Sequence, residues 1–151
     1  MMARLNGEFA VFLIGMRVNR VWKVGSWWPV ASAMPRMLQE LAAHPELGYL
    51  GGNACFGRST IMVQYWRSFE QLEAYARNRN AEHLPAWGAF NRRVGTNGDV
   101  GIWHETYLSG PGRYENVYVN MPPFGLGAVA TRTPVGARAD TARARITSVS
   151  S

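Results

Sequence analysis

The ten positions from Phe9 to Val18 are almost all apolar or β-branched. That is the pattern of a strand buried on both faces. Gly25-Ser26 breaks the run, and Pro29 stands where the first turn of a helix accepts proline. Val30, Met34, Met37, Leu38 and Leu41 then recur at helical spacing, with Pro35 expected to kink this helix or mark its true start. Pro45 closes it. A second strand is expected over 47–54, where Gly51-Gly52 suggests a bulge or a close approach. Gly57-Arg58 makes a turn, 60–67 is the clearest strand, and Ser68 is placed to cap the next helix.

That second helix carries Phe69, Leu72, Tyr75 and Ala76 on one face, is interrupted at Asn78-Arg79-Asn80 and Pro85, and resumes with Trp87, Phe90 and Val94. Thr96-Asn97-Gly98 stops it. A fourth main strand spans 100–108, and a short extra strand is expected over 115–120 before the irregular Met121-Pro122-Pro123-Phe124-Gly125. The element order is β-α-β-β-α-β, that of a ferredoxin-like α+β fold. An arm (1–8), one domain (9–130) and a tail expected to be disordered (131–151) account for the chain.

In the clearest strand both alternating sets are large, Ile61/Val63/Tyr65 and Met62/Gln64/Trp66, and the fourth strand is alike. Two helices cover only one sheet face. The other needs a second copy of the sheet in a symmetric dimer, or a C-terminal segment folded back over it.

Composition narrows the classes. A chain of 151 residues, 47% apolar, suits one core without disulfides, and Cys55 is its sole cysteine. The first apolar run is too short to span a bilayer or serve as a leader, so a cytoplasmic protein with no membrane partner is expected. Half of the net charge of +6 lies in 132–145, where Arg132, Arg138, Arg143 and Arg145 face Asp140 alone. Specific nucleic-acid binding is therefore not expected. No paired Cys/His metal spacing, phosphate-cradling loop, or flavin or nicotinamide fingerprint is present.

Several segments resemble the fumagillin-pathway monooxygenase-like family: Met16-Arg17-Val18-Asn19, Gln64-Tyr65-Trp66-Arg67-Ser68-Phe69, Ala81-Glu82-His83-Leu84-Pro85-Ala86-Trp87 and Gly101-Ile102-Trp103-His104-Glu105-Thr106-Tyr107. The stretch from Glu115 to Gly127 extends the match. That family is similar to the dimeric α/β-barrel group, which includes cofactor-free antibiotic-biosynthesis monooxygenases, haem-degrading monooxygenases and aldoxime dehydratases. The resemblance implies a ferredoxin-like subunit, a homodimer and a pocket between sheet and helices. It also implies a reaction with molecular oxygen, using either no cofactor or haem. Those relatives use an asparagine late in the first strand, an aromatic on the second helix and, in the haem enzymes, a histidine further along it. Asn19, Tyr75 and His83 occupy comparable places and are the expected catalytic residues, with His83 the axial ligand if haem is bound.

The residues themselves leave alternatives open. His83, near a helix start, would be held neutral by the dipole and could act as a general base or haem ligand, or merely cap the helix. Asn19 could orient a substrate or satisfy turn backbone. His44, at a helix end, reads as structural. Trp66, Trp87, His104, Tyr118 and Phe124 are candidate substrate contacts, although aromatic residues at such positions often belong to a core. Trp22, Trp27 and Trp28 would suit a pocket mouth or a dimer contact. The expected function is a monooxygenase-like oxidoreductase for a small apolar or aromatic, natural-product-like substrate. A haem enzyme of the same fold, such as a dehydratase, and a non-catalytic dimeric ligand-binding module are the alternatives.

Overall fold

The computed structural model of the chain describes residues 1–78, 97–137 and 139–149. A short strand β1 (Met2–Arg4) precedes the first long one, β2 (Phe9–Val18). Helix α1 (Val24–Ala43) leads to the hairpin β3 (Tyr49–Cys55) and β4 (Ser59–Trp66), and α2 (Phe69–Arg77) comes before β5 (Val100–Ser109). The four long strands form one antiparallel sheet in the order β3-β4-β2-β5. This is the ferredoxin-like arrangement expected from the element order. β2 and β4, which carry large side chains on both faces, are the interior strands; the register of β2 runs from Ala10↔Trp66 to Arg17↔Ser59 on one side and from Phe9↔Ser109 to Val18↔Val100 on the other.

Alternation decides what each face buries. The even-numbered set of β2 and β4 faces the helices, where Ala10, Met62 and Trp66 pack with Met37 and Leu41 of α1 and Leu72 and Tyr75 of α2. Nearer the other end of β2, Met16, Val18 and Val100 pack with Trp27, Val30 and Ala31. Ser68 caps α2 as its position suggested, its hydroxyl accepting from the Gln71 amide at 3.2 Å. α1 begins five residues before Pro29 and holds both Pro29 and Pro35. An interior proline costs about 3 kcal/mol, a penalty outweighed where a stripe from Val30 to Leu41 is pressed onto a sheet.

The opposite face is covered at one end by the chain's own termini. Ala3 and Phe9 pack with Leu126 of a short helix α3 (Leu126–Val129), beside Tyr65, Tyr114 and Tyr118. β1 pairs antiparallel with β6 (Thr131–Thr133), and a last helix α4 (Ala142–Val149) follows. Two expectations are corrected here. The extra strand over 115–120 does not form: the Asn116 amide takes the place of a backbone neighbour, accepting from Ala3 N–H at 2.6 Å and donating to Ala3 C=O at 2.9 Å. In the tail expected to be disordered, β6 and α4 are folded elements. Too poor in apolar residues to build a core, the tail completes one, with Ala139 and Val135 against Met2 and Tyr114, and Arg145 holds Glu115 at 2.7 Å.

Among the described residues, no helix is long and apolar enough to cross a membrane.

Candidate active site

On the helix side of the sheet an aromatic wall surrounds a buried polar thread. Trp66, with no exposed surface, donates its indole N–H to Gln64 Oε1 at 3.0 Å. Gln64 Nε2 in turn lies 3.1 Å from Met62 Sδ. The Trp66 ring meets Tyr49 and Tyr75, each at 5.6 Å between centroids. Burial raises the pKa of the Tyr49 phenol, so this side of the wall stays protonated and uncharged.

The wall ends in an acid–base pair. Tyr75 Oη donates to Glu40 Oε2 at 2.7 Å, linking α2 to α1. Alternation and helical spacing bring the two together, since Tyr75 lies on the buried face of α2 while Glu40 flanks the buried Met37 and Leu41 of α1. A groove of about 430 Å³ runs alongside, lined by Tyr75 with Leu47, Gln71, Ala74 and Arg77 among others. A phenol hydrogen-bonded to a carboxylate can orient a substrate oxygen and relay a proton to the carboxylate. Neither Glu40 nor Gln64 was singled out from the sequence. The available signals were a polar residue in the buried set of a strand and an acid on the inner flank of an amphipathic helix.

The expected catalytic trio is not assembled among the described residues. Asn19 donates its amide to Gly98 C=O at 3.0 Å, while its own N–H bonds Asp99 C=O. It thus satisfies turn backbone. It also stands nine positions along the chain from Ala10, the register partner of the Trp66 that Tyr75 touches. At ~3.3 Å per residue that is roughly 30 Å away. His83 and Trp87 lie outside the described residues.

The remaining candidates divide between the two faces. His104 shares the helix-side face with Trp66, its ring 5.8 Å from Phe12. It opposes Ile14 where Trp66 opposes Ala10, so the two are roughly 13 Å apart along the strand. Tyr118 and Phe124 belong to the cover on the other face. Tyr118 Oη accepts the Gly127 N–H at 2.9 Å, and Phe124 is 42% exposed. Nearby Tyr65 has its pKa raised by burial and by Tyr118.

A haem site needs an axial side chain facing an apolar slot. Of the described histidines, His44 pairs with Glu46 at 2.8 Å on the surface, and His104 is exposed on an edge strand. The space beneath the helices is filled by Met62, Trp66, Leu72 and Tyr75. The described residues therefore do not fit haem. Among them, no group of three or more metal-ligating side chains converges.

Residues 9–126 match the sequence model of the family described as monooxygenase af470-like. The chain is 29% identical over 132 residues to monooxygenase af470 of Aspergillus fumigatus, a match covering 80% of this chain and 46% of that protein. The chain thus spans about half the length of this curated relative. Among solved structures, it is similar to an aldoxime dehydratase in complex with butyraldoxime, with a TM-score of 0.66 and 18% identity over 85% of this chain and 39% of that one. It is also similar to SnoaB, a cofactor-independent oxygenase from Streptomyces nogalater, with a TM-score of 0.47 and 13% identity over 66% and 91% of the respective chains. The dehydratase likeness shows the fold. The segments that carried the family resemblance fall within the matched span, apart from Gly127 at its edge.

Proposed function

The chain belongs to the monooxygenase af470-like family, and from that premise we propose that it is a monooxygenase-type oxidoreductase acting on a small apolar or aromatic molecule. The observation that carries this reading is the Tyr75–Glu40 pair, a phenol able to pass a proton to a carboxylate, where Tyr75 borders a groove lined by Leu47 and Ala74 with the polar Glu46, Gln71, Arg77 and Asn78. The substrate class is one whose C–H is acidified by flanking aryl or carbonyl groups. Removing that proton gives a carbanion, which reduces dioxygen directly. One oxygen atom enters the carbon and the other leaves as water, so an activated methylene and O2 become a ketone and H2O.

In this scheme His83 is the general base, and Tyr75, its own proton given to Glu40, accepts a hydrogen bond from a substrate hydroxyl and so orients the substrate. Glu40 keeps the Tyr75 phenol oriented. Asn19, tied to Gly98, stands outside the reacting group.

The proposal includes a homodimer. Beyond the part covered by the termini, Leu13, Val63 and Trp103 remain partly exposed and Tyr107 more so. Gly15 lets the Trp103 indole lie across the sheet, since a Cβ there would come within 2.7 Å of its nitrogen. A second copy would cover this patch. Light scattering on the eluting protein tests it, and a strict monomer overturns that part.

Oxygen uptake with an activated phenol, enol or anthrone-like methylene compound tests the chemistry. The expected result is uptake without added cofactor that is lost in His83→Ala and sharply reduced in Tyr75→Phe. No uptake across a broad panel, or a Soret band on haem addition that vanishes in His83→Ala, would overturn the cofactor-free reading.

A further inference from the structure

One end of the molecule presents large apolar side chains to solvent within a frame of positive charge. Trp22 is 73% exposed, Trp28 60%, Val21 53% and Val24 52%. Phe56, 84% exposed, tips the turn between β3 and β4 at the same end of the sheet. The patch is built rather than loose. The Trp27 indole N–H donates to Val21 C=O at 3.0 Å, tying the loop to the first turns of α1. Trp27 packs edge-on against Trp28 at 6.0 Å, and Val24 and Trp28 share one helix face at a spacing of four. Arg58 braces the Phe56 turn from the other side, donating to Val18 C=O at 3.3 Å.

Among the described residues, the exposed charge around this patch is positive. Arg17, Arg20, Lys23 and Arg58 are all exposed at this end. The acid that answers them is Asp99, which is almost wholly buried and taken up by Arg20 and Lys23. The first turn of α1 has no acidic residue, although helix starts favour one. A protein partner with an apolar face would need no such frame. A bilayer with anionic headgroups needs both parts: aromatic side chains settle at the headgroup level, while surrounding cations are drawn to the negative surface potential.

We propose that the Trp22–Trp28 and Phe56 end docks peripherally on an anionic lipid surface, the tryptophans entering the interfacial layer while the excess positive charge of Arg17, Arg20, Lys23 and Arg58 over Asp99 draws this end to lipid phosphates. The inference does not depend on the proposed chemistry. The expectation of no membrane partner rested on the lack of a spanning segment, and interfacial docking requires none.

Co-sedimentation and tryptophan fluorescence with phosphatidylcholine vesicles, with and without phosphatidylserine, test it. The expected result is sedimentation and a blue-shifted emission with the serine-containing vesicles, reversed by high salt. Affinity should fall about tenfold or more in Trp22→Ser/Trp28→Ser and measurably in Phe56→Ser, whose exposed site does not bear on folding. Circular dichroism confirms that each variant is folded. No binding to either vesicle overturns the proposal. So does salt-insensitive binding to both. Self-association abolished by Trp22→Ser/Trp28→Ser would overturn it too, because the patch would then be an interface between copies.

Discussion

Arg20 donates to Asp99 across 2.8 Å, joining the end of β2 to the start of β5 through a carboxylate that is only 1% exposed. Ser26 adds a hydrogen bond at 3.1 Å, and Lys23 stands 3.2 Å away. Burial pushes the Asp99 pKa up, but the Lys23 and Ser26 hydrogen bonds, with Lys23 charge and Arg20, more than offset it, leaving the carboxyl below its ordinary value. Through Lys23 and Ser26 this carboxylate ties the start of α1 to the sheet.

The sign of the pH dependence follows. A depressed folded pKa contributes stability fully above the unfolded value, about 3.9, and that stability is lost as pH falls through the lower folded value. Thermal melts of the wild type should therefore hold this component down to about pH 4 and lose it below. Asp99→Asn should be less stable near neutrality, with the difference from wild type shrinking in acid. A difference independent of pH would place the role of Asp99 in packing rather than charge.

Gln64 and Trp66 form a second coupled pair. Trp66→Phe leaves Gln64 Oε1 without its donor, and Gln64→Leu leaves the Trp66 indole N–H without its acceptor. Each orphaned buried group costs about 1–3 kcal/mol, with a further void in Trp66→Phe. The double variant removes both partners. Its destabilisation in urea should be less than the sum of the single effects by roughly 1 kcal/mol or more. Strict additivity would show that the two groups do not depend on one another.

The frame of the fold was legible because its signals are periodic. The even set of β4 ends in Trp66 and packs beneath two helices, while Ile61, Val63 and Tyr65 turn away, as alternation requires. Ser68 and the breaks at Gly57-Arg58 and Asn97-Gly98 are local chemistry and read directly. β1 and β6 have three residues each, too few to show a period. The start of α1 was missed because Lys23 makes no side-chain cap. For the candidate site, the family resemblance pointed to Tyr75 and residue type to Trp66. Their neighbours were hidden because the Tyr75–Glu40 contact spans 35 positions and depends on how two helices sit on one sheet. Asn19 shows the converse: its place at a strand end was readable, but its distance from Tyr75 follows only from the register.

The cover over the other face turns on backbone that glycine alone supplies cheaply. Gly125 adopts φ +57°, ψ −136°, and its N–H donates to Asn53 Oδ1 at 2.7 Å. Gly127 lies so close to Tyr118 that a Cβ would come within 3.0 Å of the ring. Gly125→Ala should cost about 1–3 kcal/mol of strain. Tyr118→Phe, which removes only the acceptor for the Gly127 N–H, should cost about 1 kcal/mol. Hydrogen exchange in 114–130 should accelerate in both, more in Gly125→Ala. Unchanged protection there would mean that the cover is held by its apolar contacts alone.

The Tyr75–Glu40 pair allows its proposed part in turnover to be separated from its part in stability. Tyr75→Phe keeps the ring against Trp66, so the aromatic wall survives. The loss of a hydrogen bond to a carboxylate should cost about 1.5–3 kcal/mol of stability. If the phenol orients a substrate hydroxyl and relays its proton to Glu40, turnover should fall about 100-fold or more, with KM little altered because the groove keeps its shape. Glu40→Gln leaves an acceptor for the phenol but removes its charge, and should lie between wild type and Tyr75→Phe in turnover. Leu47→Ala, which widens the groove without touching the pair, should instead raise KM. A Tyr75→Phe protein with wild-type turnover on a substrate that the native enzyme oxidises would take Tyr75 out of the chemistry and leave it a core residue that borders a groove.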